Sequence, residues 1–433
     1  MTYNRSAMAL AIAAMASAGV PSVASAAGFY LADQSIKAIG RAYSGEAADQ
    51  GVESLWWNPA SIAGITTGQD YFGIAGILPS ATVRDTGTVI VRPGQAPASV
   101  GGDPVEKDPV EGGAVPAGAI AYPITKDLAV GLALTSPYSF TTQYSTASWA
   151  RYTATRTRLT TIDVQPTIAY RVLPWLSLGG AANIEYTNAV LRNSLPNLSA
   201  ALPDGAQKLK GDGWDAGFTV GAQATYDILT VGLSYKSSIE HNLGGSLQIA
   251  GLSGPLAALN TTINGVSAQL STPWQAVGSF RIRATKDLTL NFQGTRFGWN
   301  KFDAIRLSAP LNTAVPENYR NTWAFAGGFD YAVNTKLTVR GGFQYDQTPT
   351  RNGERDARVP DASRRSYSAG LSYQVLKSFG VDAAFSFVDF GGAAIDRVTA
   401  AYAGSPLQTP ILVNGRVSGA NAYILSLGGH LSF

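Results

Sequence analysis

The feature that most restricts how this chain can fold is a period of two in its apolar residues. From Leu176 to Thr187, apolar or small residues at even positions alternate with small or polar residues at odd positions. The same pattern follows Leu288 and Leu337. Because successive side chains of a β-strand point to opposite faces, each pattern predicts a strand with one apolar face. Alternation alone does not separate a soluble sandwich from a membrane barrel.

The lengths of the connections favour a barrel. Short turns are predicted near 125–127, 172–174, 227–228, 285–287, 333–335 and 376–377. Long polar or Gly/Pro-rich segments lie between them, near 79–114, 141–154, 193–211, 250–271, 309–320, 348–364 and 391–420. Alternating short and long connections are typical of outer-membrane barrels, which have tight periplasmic turns and long external loops.

The pattern therefore predicts an all-β fold, a transmembrane antiparallel β-barrel of about fourteen strands. An even number places both ends of the barrel in the periplasm, and the final Phe433 resembles the assembly signal of such barrels. The predicted strands are 68–78, 115–124, 128–140, 155–171, 175–192, 212–226, 229–249, 272–284, 288–308, 321–332, 336–347, 365–375, 378–390 and 421–433. Aromatic residues near the short turns predict a periplasmic girdle: Tyr122, Tyr170, Trp175, Tyr226, Tyr331, Tyr373 and Phe379.

The N-terminus indicates export. A basic start, an apolar stretch and Ala24-Ser25-Ala26 predict a signal peptide over residues 1–26. Beyond residue 27 no apolar run approaches the ~18 residues that a membrane helix needs. The chain has no cysteine and a net charge of +3 from 32 basic and 29 acidic residues, so neither a disulfide scaffold nor a nucleic-acid partner is expected. The predicted location is the bacterial outer membrane.

Residues 27–67 follow no strand pattern. They contain Gly40-Arg41-Ala42-Tyr43-Ser44-Gly45-Glu46 and Trp56-Trp57-Asn58-Pro59-Ala60, with a short helix possible near 47–56. A barrel of about fourteen strands leaves interior space to fill. We therefore expect residues 27–67 to form a hatch inside the lumen and residues 68–433 to form the barrel.

Several motifs resemble those of the FadL/TodX family of outer-membrane transporters for long-chain fatty acids and hydrocarbons. They are Ala27-Gly28-Phe29, the 40–46 motif, Asn58-Pro59-Ala60, Ser136-Pro137-Tyr138, Trp149-Ala150-Arg151-Tyr152, Gly211-Asp212-Gly213-Trp214 and Tyr235-Lys236-Ser237. They occur in family order and span essentially the whole predicted mature chain.

The resemblance implies a monomer that transports hydrophobic small molecules by passive diffusion. In that family, external loops catch the ligand, a pocket in the barrel holds it, and a lateral gap in the wall releases it into the bilayer. By position, Phe29 would reach the pocket and Asn58, Pro59 and Ala60 would hold the hatch. Membrane lipids, lipopolysaccharide and the barrel assembly machinery are the other expected partners, and no cofactor is expected.

One residue suggests where the wall opens. Pro137 ends the third predicted strand and has no backbone N–H, so one bond of the ladder is missing there. It either adjoins the lateral gap or merely terminates the strand.

Arginines near the long loops are candidate partners for a carboxylate head group. Arg151, Arg156 and Arg158 cluster at the start of the fourth predicted strand. Arg351, Arg355, Arg358, Arg364 and Arg365 form a second group. Attraction to anionic lipopolysaccharide explains the same residues equally simply.

Three other functions remain as alternatives. A hydrolase needs a serine beside one of the two histidines, His241 and His430, and nothing in the sequence singles one out, so no catalytic residue or metal site is expected. A general porin needs an open, charged channel, whereas the hatch carries aromatic residues. A structural or adhesive barrel needs no hatch.

Overall fold

The computed structural model describes residues 28–308 and 311–433. The predicted signal peptide, residues 1–26, lies outside the described residues. Within them, fourteen strands form the wall of a barrel, and each pairs in antiparallel fashion with the next one in chain order. The wall strands are β1 (Gln69–Asp85), β2 (Gly113–Pro123), β3 (Leu128–Thr135), β4 (Arg156–Leu173), β5 (Leu176–Leu195), β6 (Gly205–Tyr226), β7 (Leu229–Lys236), β8 (Trp274–Arg283), β9 (Leu288–Gly298), β10 (Thr322–Ala332), β11 (Leu337–Asp346), β12 (Arg364–Leu376), β13 (Phe379–Phe390) and β14 (Thr409–Ser432).

The first and last wall strands close the barrel. Gln69 of β1 lies opposite Ser432 of β14, and the register continues to Ser80 and Asn421. Closure gives every wall strand two neighbours, which is the only way for a sheet to cross a bilayer without an unpaired edge. The predicted fold, an antiparallel barrel of fourteen strands, is confirmed.

The side chains alternate as the sequence predicts. On β5, Asn183, Glu185 and Thr187 point inward and are buried, whereas Leu178 and Ile184 are exposed on the outer face. Most of the predicted girdle is likewise exposed at the turn end of the barrel: Tyr122, Tyr170, Trp175, Tyr226, Tyr331 and Tyr373.

Above the membrane, the sheet extends further than the sequence predicts. Nine additional strands occur among the described residues of that region: Val89–Ile90, Ala98–Ser99, Val105–Lys107, Ser139–Gln143, Glu240–Ala250, Thr261–Ser271, Ala304–Leu307, Thr313–Pro316 and Ala393–Ala401. Several lie in segments that the sequence predicts as loops; Ala393–Ala401, for example, pairs with β14 from Thr409 to Val417. Outside the hydrocarbon the outer face need not be apolar, so strands such as Ala393–Ala401 lack the apolar alternation that would reveal them.

Three segments that the sequence predicts as single strands are each divided by an interruption. The prediction 128–140 breaks at residues 136–138, 229–249 breaks at 237–239, and 288–308 breaks at 299–303. The break at residues 136–138 lies beside the candidate site described below.

The described part of the hatch, residues 28–67, lies inside the barrel. It contains one short helix, α1 (Ile36–Gly40), and the 3₁₀ turns Glu46–Ala48, Val52–Ser54 and Pro59–Ile62. The Ser35 hydroxyl caps α1 by accepting a hydrogen bond from the Ala38 N–H at 3.4 Å. The helix predicted near 47–56 is therefore replaced by two 3₁₀ turns. Two further 3₁₀ turns, Gly254–Leu259 and Trp299–Lys301, lie in the external region.

Among the described residues, no helix combines the length and hydropathy needed to span a membrane.

The outward orientation of β14 is testable through Leu427, which is 66% exposed and lies near the middle of the membrane band. We expect Leu427→Arg to destabilise the barrel by about 2–4 kcal/mol, because it places a charge in hydrocarbon. Leu376→Arg, at a periplasmic turn, should cost about 0–1 kcal/mol. Denaturant unfolding of the protein in lipid vesicles measures both; equal costs would contradict the assigned depth of Leu427.

Candidate functional site

An apolar cavity of about 60 Å³ lies inside the barrel above the hatch, and we call it the inner cavity. Its apolar lining comes from β4, β5 and β6 and from the additional strands of the external region: Leu159, Ala189, Leu191, Leu209, Leu243, Ala268, Leu270 and Ile305. Ligand pockets commonly measure some hundreds of Å³. The inner cavity is therefore largely filled by the protein's own side chains.

Phe29 of the hatch supplies much of that filling. Its ring is buried and packs edge-on against Trp299 and Phe302, with ring centroids 5.0 Å away in each case. It also stacks on Phe140 at 5.8 Å. The structure thus places Phe29 in the lining of an apolar pocket, in an aromatic environment that a hydrophobic ligand could replace.

Three charged residues line the same cavity: Arg158, Glu317 and Arg358. Arg358 bonds to Asp356 at 3.0 Å, and Asp356 and Glu317 share Arg397 at 2.9 and 3.5 Å. Arg158 forms no ion pair with a carboxylate in the described part of the chain, and its Nε donates only a long 3.4 Å hydrogen bond to the Thr160 hydroxyl. An apolar cavity with an unpaired guanidinium suits a ligand that carries an acidic head group.

Burial and neighbouring charge also affect Glu317. Desolvation and the nearby Asp356 carboxylate raise its pKa to about 7, against the opposing effect of Arg397. Glu317 is therefore partly protonated at neutral pH.

The other two arginines of the predicted ligand cluster lie elsewhere. Arg151 joins external loops: it bonds to Asp204 at 2.8 Å and donates to the carbonyls of Val100, Gly101 and Ser148. Arg156 contacts Gln143 and lies 3.4 Å from the Glu111 carboxylate. Neither lines the inner cavity, so of the three only Arg158 is positioned to meet a ligand there.

The second arginine group is also mostly occupied by protein partners. Arg364 pairs with Asp346 at 2.8 Å, and Arg365 lies 3.5 Å from Asp389. Arg355 donates to the carbonyls of Asp361 and Ala394, both at 2.8 Å. Arg358 alone of this group lines the inner cavity.

A smaller cavity of about 50 Å³ lies beside the first, lined by residues that include Pro79, Val110 and Asn421, and we call it the side cavity. Phe140 and Val359 line both cavities and therefore lie between them. Asp361 borders the side cavity and accepts a hydrogen bond from the Gly28 N–H at 3.1 Å. Burial raises the pKa of Asp361 to about 6.

The wall is interrupted next to these cavities. The ladder between β2 and β3 ends at Gly118 and Leu134, whereas β2 continues to pair with β1 as far as Gly113. Beyond residues 136–138 the chain resumes as strand Ser139–Gln143, which pairs with β4. Residues 113–117 and 135–140 thus face each other without a ladder.

Prolines lie on both sides of this wall break. Pro137 lies in the interruption itself and Pro116 lies in β2, and neither has a backbone N–H to donate. The same reasoning that singles out Pro137 in the sequence applies to Pro116, which the sequence analysis missed.

The hatch bonds to the backbone at the wall break. The Leu31 N–H donates to the Pro137 carbonyl at 2.8 Å. The Gln34 side chain accepts from the Ser136 N–H at 3.1 Å and donates to the Ser136 carbonyl at 3.0 Å. Hatch residues therefore satisfy polar groups that a neighbouring strand would otherwise pair.

Asn58, Pro59 and Ala60 dock the base of the hatch on the wall. The Asn58 amide donates to the carbonyls of Ala47 at 2.7 Å and Ala222 at 3.1 Å, and its oxygen caps the Ala60 N–H at 3.0 Å. Glycines on the wall make this approach possible. A Cβ at Gly221 would lie 1.9 Å from the Asn58 oxygen, and one at Gly179 would lie 2.4 Å from the Ala60 nitrogen.

A buried charge network centred on Arg41 holds the hatch elsewhere. Arg41 bonds to Glu46 at 2.8 Å and Asp49 at 2.6 Å within the hatch, and to Asp330 of the wall at 3.2 Å. Arg281 of the wall bonds to both Asp49 and Asp330. Burial disfavours the charged form of Asp49, but Arg281 and Arg41 outweigh it and lower its pKa to about 2. The 40–46 motif contains Arg41, but the motif alone does not predict this role.

Both histidines face carboxylates. His241 lies 3.2 Å from Glu185 and 3.4 Å from Asp215, and His430 lies 2.8 Å from Asp382. No hydrogen bond from serine reaches either imidazole within residues 28–308 and 311–433. The pairing that a barrel hydrolase requires is not formed there.

Comparisons with known proteins agree with this architecture. Residues 17–433 match the family described as outer membrane protein transport protein (OMPP1/FadL/TodX). The chain is 25% identical over 426 residues to the long-chain fatty acid transport protein of Escherichia coli O6:H1, covering 89% of this chain and 91% of that protein. It is 24% identical over 430 residues to outer membrane protein P1 of Haemophilus influenzae, covering 89% and 90%.

Solved structures show the same fold. A Pseudomonas aeruginosa FadL homologue superposes with a TM-score of 0.81 at 24% identity, covering 94% of this chain and 100% of that one. The Pseudomonas putida toluene transporter TodX gives a TM-score of 0.67 at 15% identity, covering 94% and 99%.

The Arg41 network leads to a test of how the hatch is held. We expect Arg41→Gln to weaken hatch docking by about 3–5 kcal/mol, because it leaves three buried or half-buried carboxylates short of a partner. Limited proteolysis of the hatch and single-channel conductance should both increase. Lys126→Gln, which removes an exposed ion pair with Asp127, is the control. If the hatch of Arg41→Gln resists proteolysis as well as that of the wild type, contacts other than the Arg41 network hold it.

Proposed function

Because the chain belongs to the outer membrane transport family OMPP1/FadL/TodX, we propose that it carries hydrophobic small molecules across the outer membrane by hatch-gated, passive diffusion. The chain is a β-barrel of the bacterial outer membrane. In this proposal residues 1–26 are removed as a signal peptide, 27–67 act as the hatch and 68–433 form the barrel. We further propose a monomer that the barrel assembly machinery inserts and whose external loops contact lipopolysaccharide.

One observation carries the proposal: a single short segment of the hatch contacts both the inner cavity and the wall break. Phe29 fills the inner cavity, and Leu31 and Gln34 bond to the backbone at Ser136 and Pro137. A ligand that displaces Phe29 therefore pulls on the residues that pair with the wall break. Release of those bonds would free the wall break as the ligand arrives.

The position of the break supports lateral release of the ligand into the bilayer. The side cavity adjoins the inner cavity, and Phe140, which follows Pro137 at the break, lines both. Release of a hydrophobic ligand into the aqueous periplasm is unfavourable, because it transfers apolar surface to water. The bilayer, reached through the break, is the favourable destination.

Within hydrophobic molecules, the site favours those with an acidic head group, such as long-chain fatty acids. Arg158 has no carboxylate partner among the described residues. Arg358, which bonds to Asp356, adds a second guanidinium to a mostly apolar lining that also includes Glu317. Both guanidinium groups can pair with a carboxylate, whereas toluene has no polar group for them to bind.

A general porin fits the structure less well. The hatch buries aromatic side chains across the lumen, among them Tyr30, Trp56 and Trp57, rather than leaving a charged channel. Near-silence in single-channel recordings is expected, whereas large steady openings would favour the porin.

The ligand class is tested by uptake of a labelled long-chain fatty acid and of toluene, in cells that have no other transporter of this type. We expect Arg158→Met to weaken binding of the acid about ten- to hundredfold, the effect of one charged hydrogen bond, and to lower its uptake accordingly. Uptake of toluene should not change. Arg156→Met, which removes a nearby arginine that does not line the cavity, is the control. An equal loss of uptake for both compounds would show that Arg158 does not recognise the acidic head group.

The raised pKa of Glu317 predicts a pH dependence. A bound carboxylate raises the pKa of Glu317 further, so binding takes up a proton and the affinity for an acid should increase as pH falls from about 8 to about 6. Toluene should show no such change, and Glu317→Gln should abolish it. Titration of the purified protein with the acid at several pH values measures the effect; an affinity independent of pH would contradict it.

The wall break is tested by restoring a backbone donor. We expect Pro137→Val to slow uptake of either compound without unfolding the barrel, because it offers an N–H with which the wall can pair. Pro166→Val is the control, since Pro166 lies opposite Leu132 in a continuous ladder. Uptake at the wild-type rate would exclude Pro137 from the exit.

A further inference from the structure

Three side chains that are remote in sequence meet where the hatch touches the wall near the periplasmic end. Glu53 belongs to a 3₁₀ turn of the hatch, Asp382 to β13 and His430 to β14. Each offers one ligand atom, and these atoms lie within 4.8 Å of one another. Neither the proposed transport route nor the Arg41 network uses this cluster.

The imidazole of His430 is directed at both carboxylates. Its Nδ1 lies 2.8 Å from Asp382 Oδ2 and 3.9 Å from Glu53 Oε1, while Nε2 lies 3.4 Å from Gln374 Oε1. The other oxygen of Asp382 accepts a hydrogen bond from the Ser372 hydroxyl. Asp382 Oδ2 is therefore available for a shared ligand, whereas Glu53 Oε1 also pairs with Lys37.

Glu53 is only partly satisfied by the protein. The side chain is 8% exposed, and Oε2 is buried without a hydrogen-bond partner in the described residues. A buried carboxylate oxygen without a partner is costly. Next to a second carboxylate and an imidazole, a cation would remove that cost.

We propose that Glu53, Asp382 and His430 form a binding site for a divalent transition metal, Zn²⁺ in the first instance. One imidazole nitrogen and two carboxylate oxygens are ligands that Zn²⁺ accepts, with a fourth position left for water. Ligands at the usual Zn distances lie about 3.4 Å apart in a tetrahedron. The observed 2.8 and 3.9 Å separations fall on either side of that value, so small rotations of the side chains suffice.

Gly380 positions the imidazole. It lies opposite His430 in the ladder between β13 and β14, and a Cβ there would lie 2.2 Å from Nε2. The ring therefore occupies the space above the glycine, and any side chain at position 380 would displace it from the two carboxylates.

Two cations compete with the metal. Lys37 Nζ lies 2.6 Å from Glu53 Oε1, and Arg340 Nη1 lies 4.0 Å from Asp382 Oδ1. The Lys37 side chain is 27% exposed and can turn towards solvent. Metal binding must overcome these contacts, so removal of Lys37 should strengthen it.

A metal in this position joins the hatch to the wall. Glu53 moves with the hatch, whereas Asp382 and His430 are fixed in neighbouring strands. Bound Zn²⁺ would then oppose hatch movement and slow uptake. Only this consequence rests on the proposed transport function; the binding itself does not.

The test is calorimetric titration of the purified full chain in detergent with Zn²⁺. We expect one equivalent to bind, and Glu53→Gln or His430→Gln to weaken binding by at least about tenfold, a loss seen even for groups outside the ligand set. Lys37→Gln should tighten binding, and Gly380→Ala should weaken it although no ligand is removed. His241→Gln, which changes the other histidine, should bind as the wild type does.

Circular dichroism and gel migration of each variant confirm that the barrel is folded. Wild-type protein that binds Zn²⁺ no better than His430→Gln, or an affinity that Lys37→Gln lowers, would overturn the site. Because these titrations involve no transport, their failure is distinct from failure of the proposed function. If Zn²⁺ binds at this site but uptake in its presence matches uptake with a chelator, the inference that the metal restrains the hatch is wrong.

Discussion

Hydrocarbon offers no partner for a backbone N–H or carbonyl, and this constraint decides the rest of the structure. It requires a closed ladder, which the pairing of β1 with β14 provides. It also makes any interruption of the ladder costly unless something else supplies the bonds. At the wall break Leu31 and Gln34 of the hatch supply bonds to the backbone of Pro137 and Ser136.

The hatch is held by contacts that differ in kind around the lumen. Asn58 bonds to backbone carbonyls of the wall through space that Gly179 and Gly221 leave open. Arg41 joins a buried network of charges that includes Asp330 of the wall. The ring of Phe29, by contrast, packs against the aromatic rings of Phe140, Trp299 and Phe302. The end of the hatch at the inner cavity thus differs from the base in that its side-chain contacts are apolar rather than charged.

Much of the fold could be predicted because strands that meet lipid must alternate. The turns, the wall strands and their outward faces follow from that rule, as Leu178 and Asn183 illustrate on β5. The rule does not apply above the membrane, where strands such as Ala393–Ala401 were predicted as loops. Pro137 was predicted from the chemistry of its missing N–H, whereas Pro116 escaped notice although it has the same chemistry.

The sequence by itself determined the class of fold and the family, because these depend on local periodicity and on short motifs. It did not distinguish Arg158 from Arg151, since both are arginines near one strand end; only the packed loops show that Arg151 is bound to Asp204 while Arg158 lines the cavity. Nor did it bring Glu53, Asp382 and His430 together. Contacts between the hatch and the wall join residues hundreds of positions apart, and only closure of the barrel around the hatch decides which of them meet.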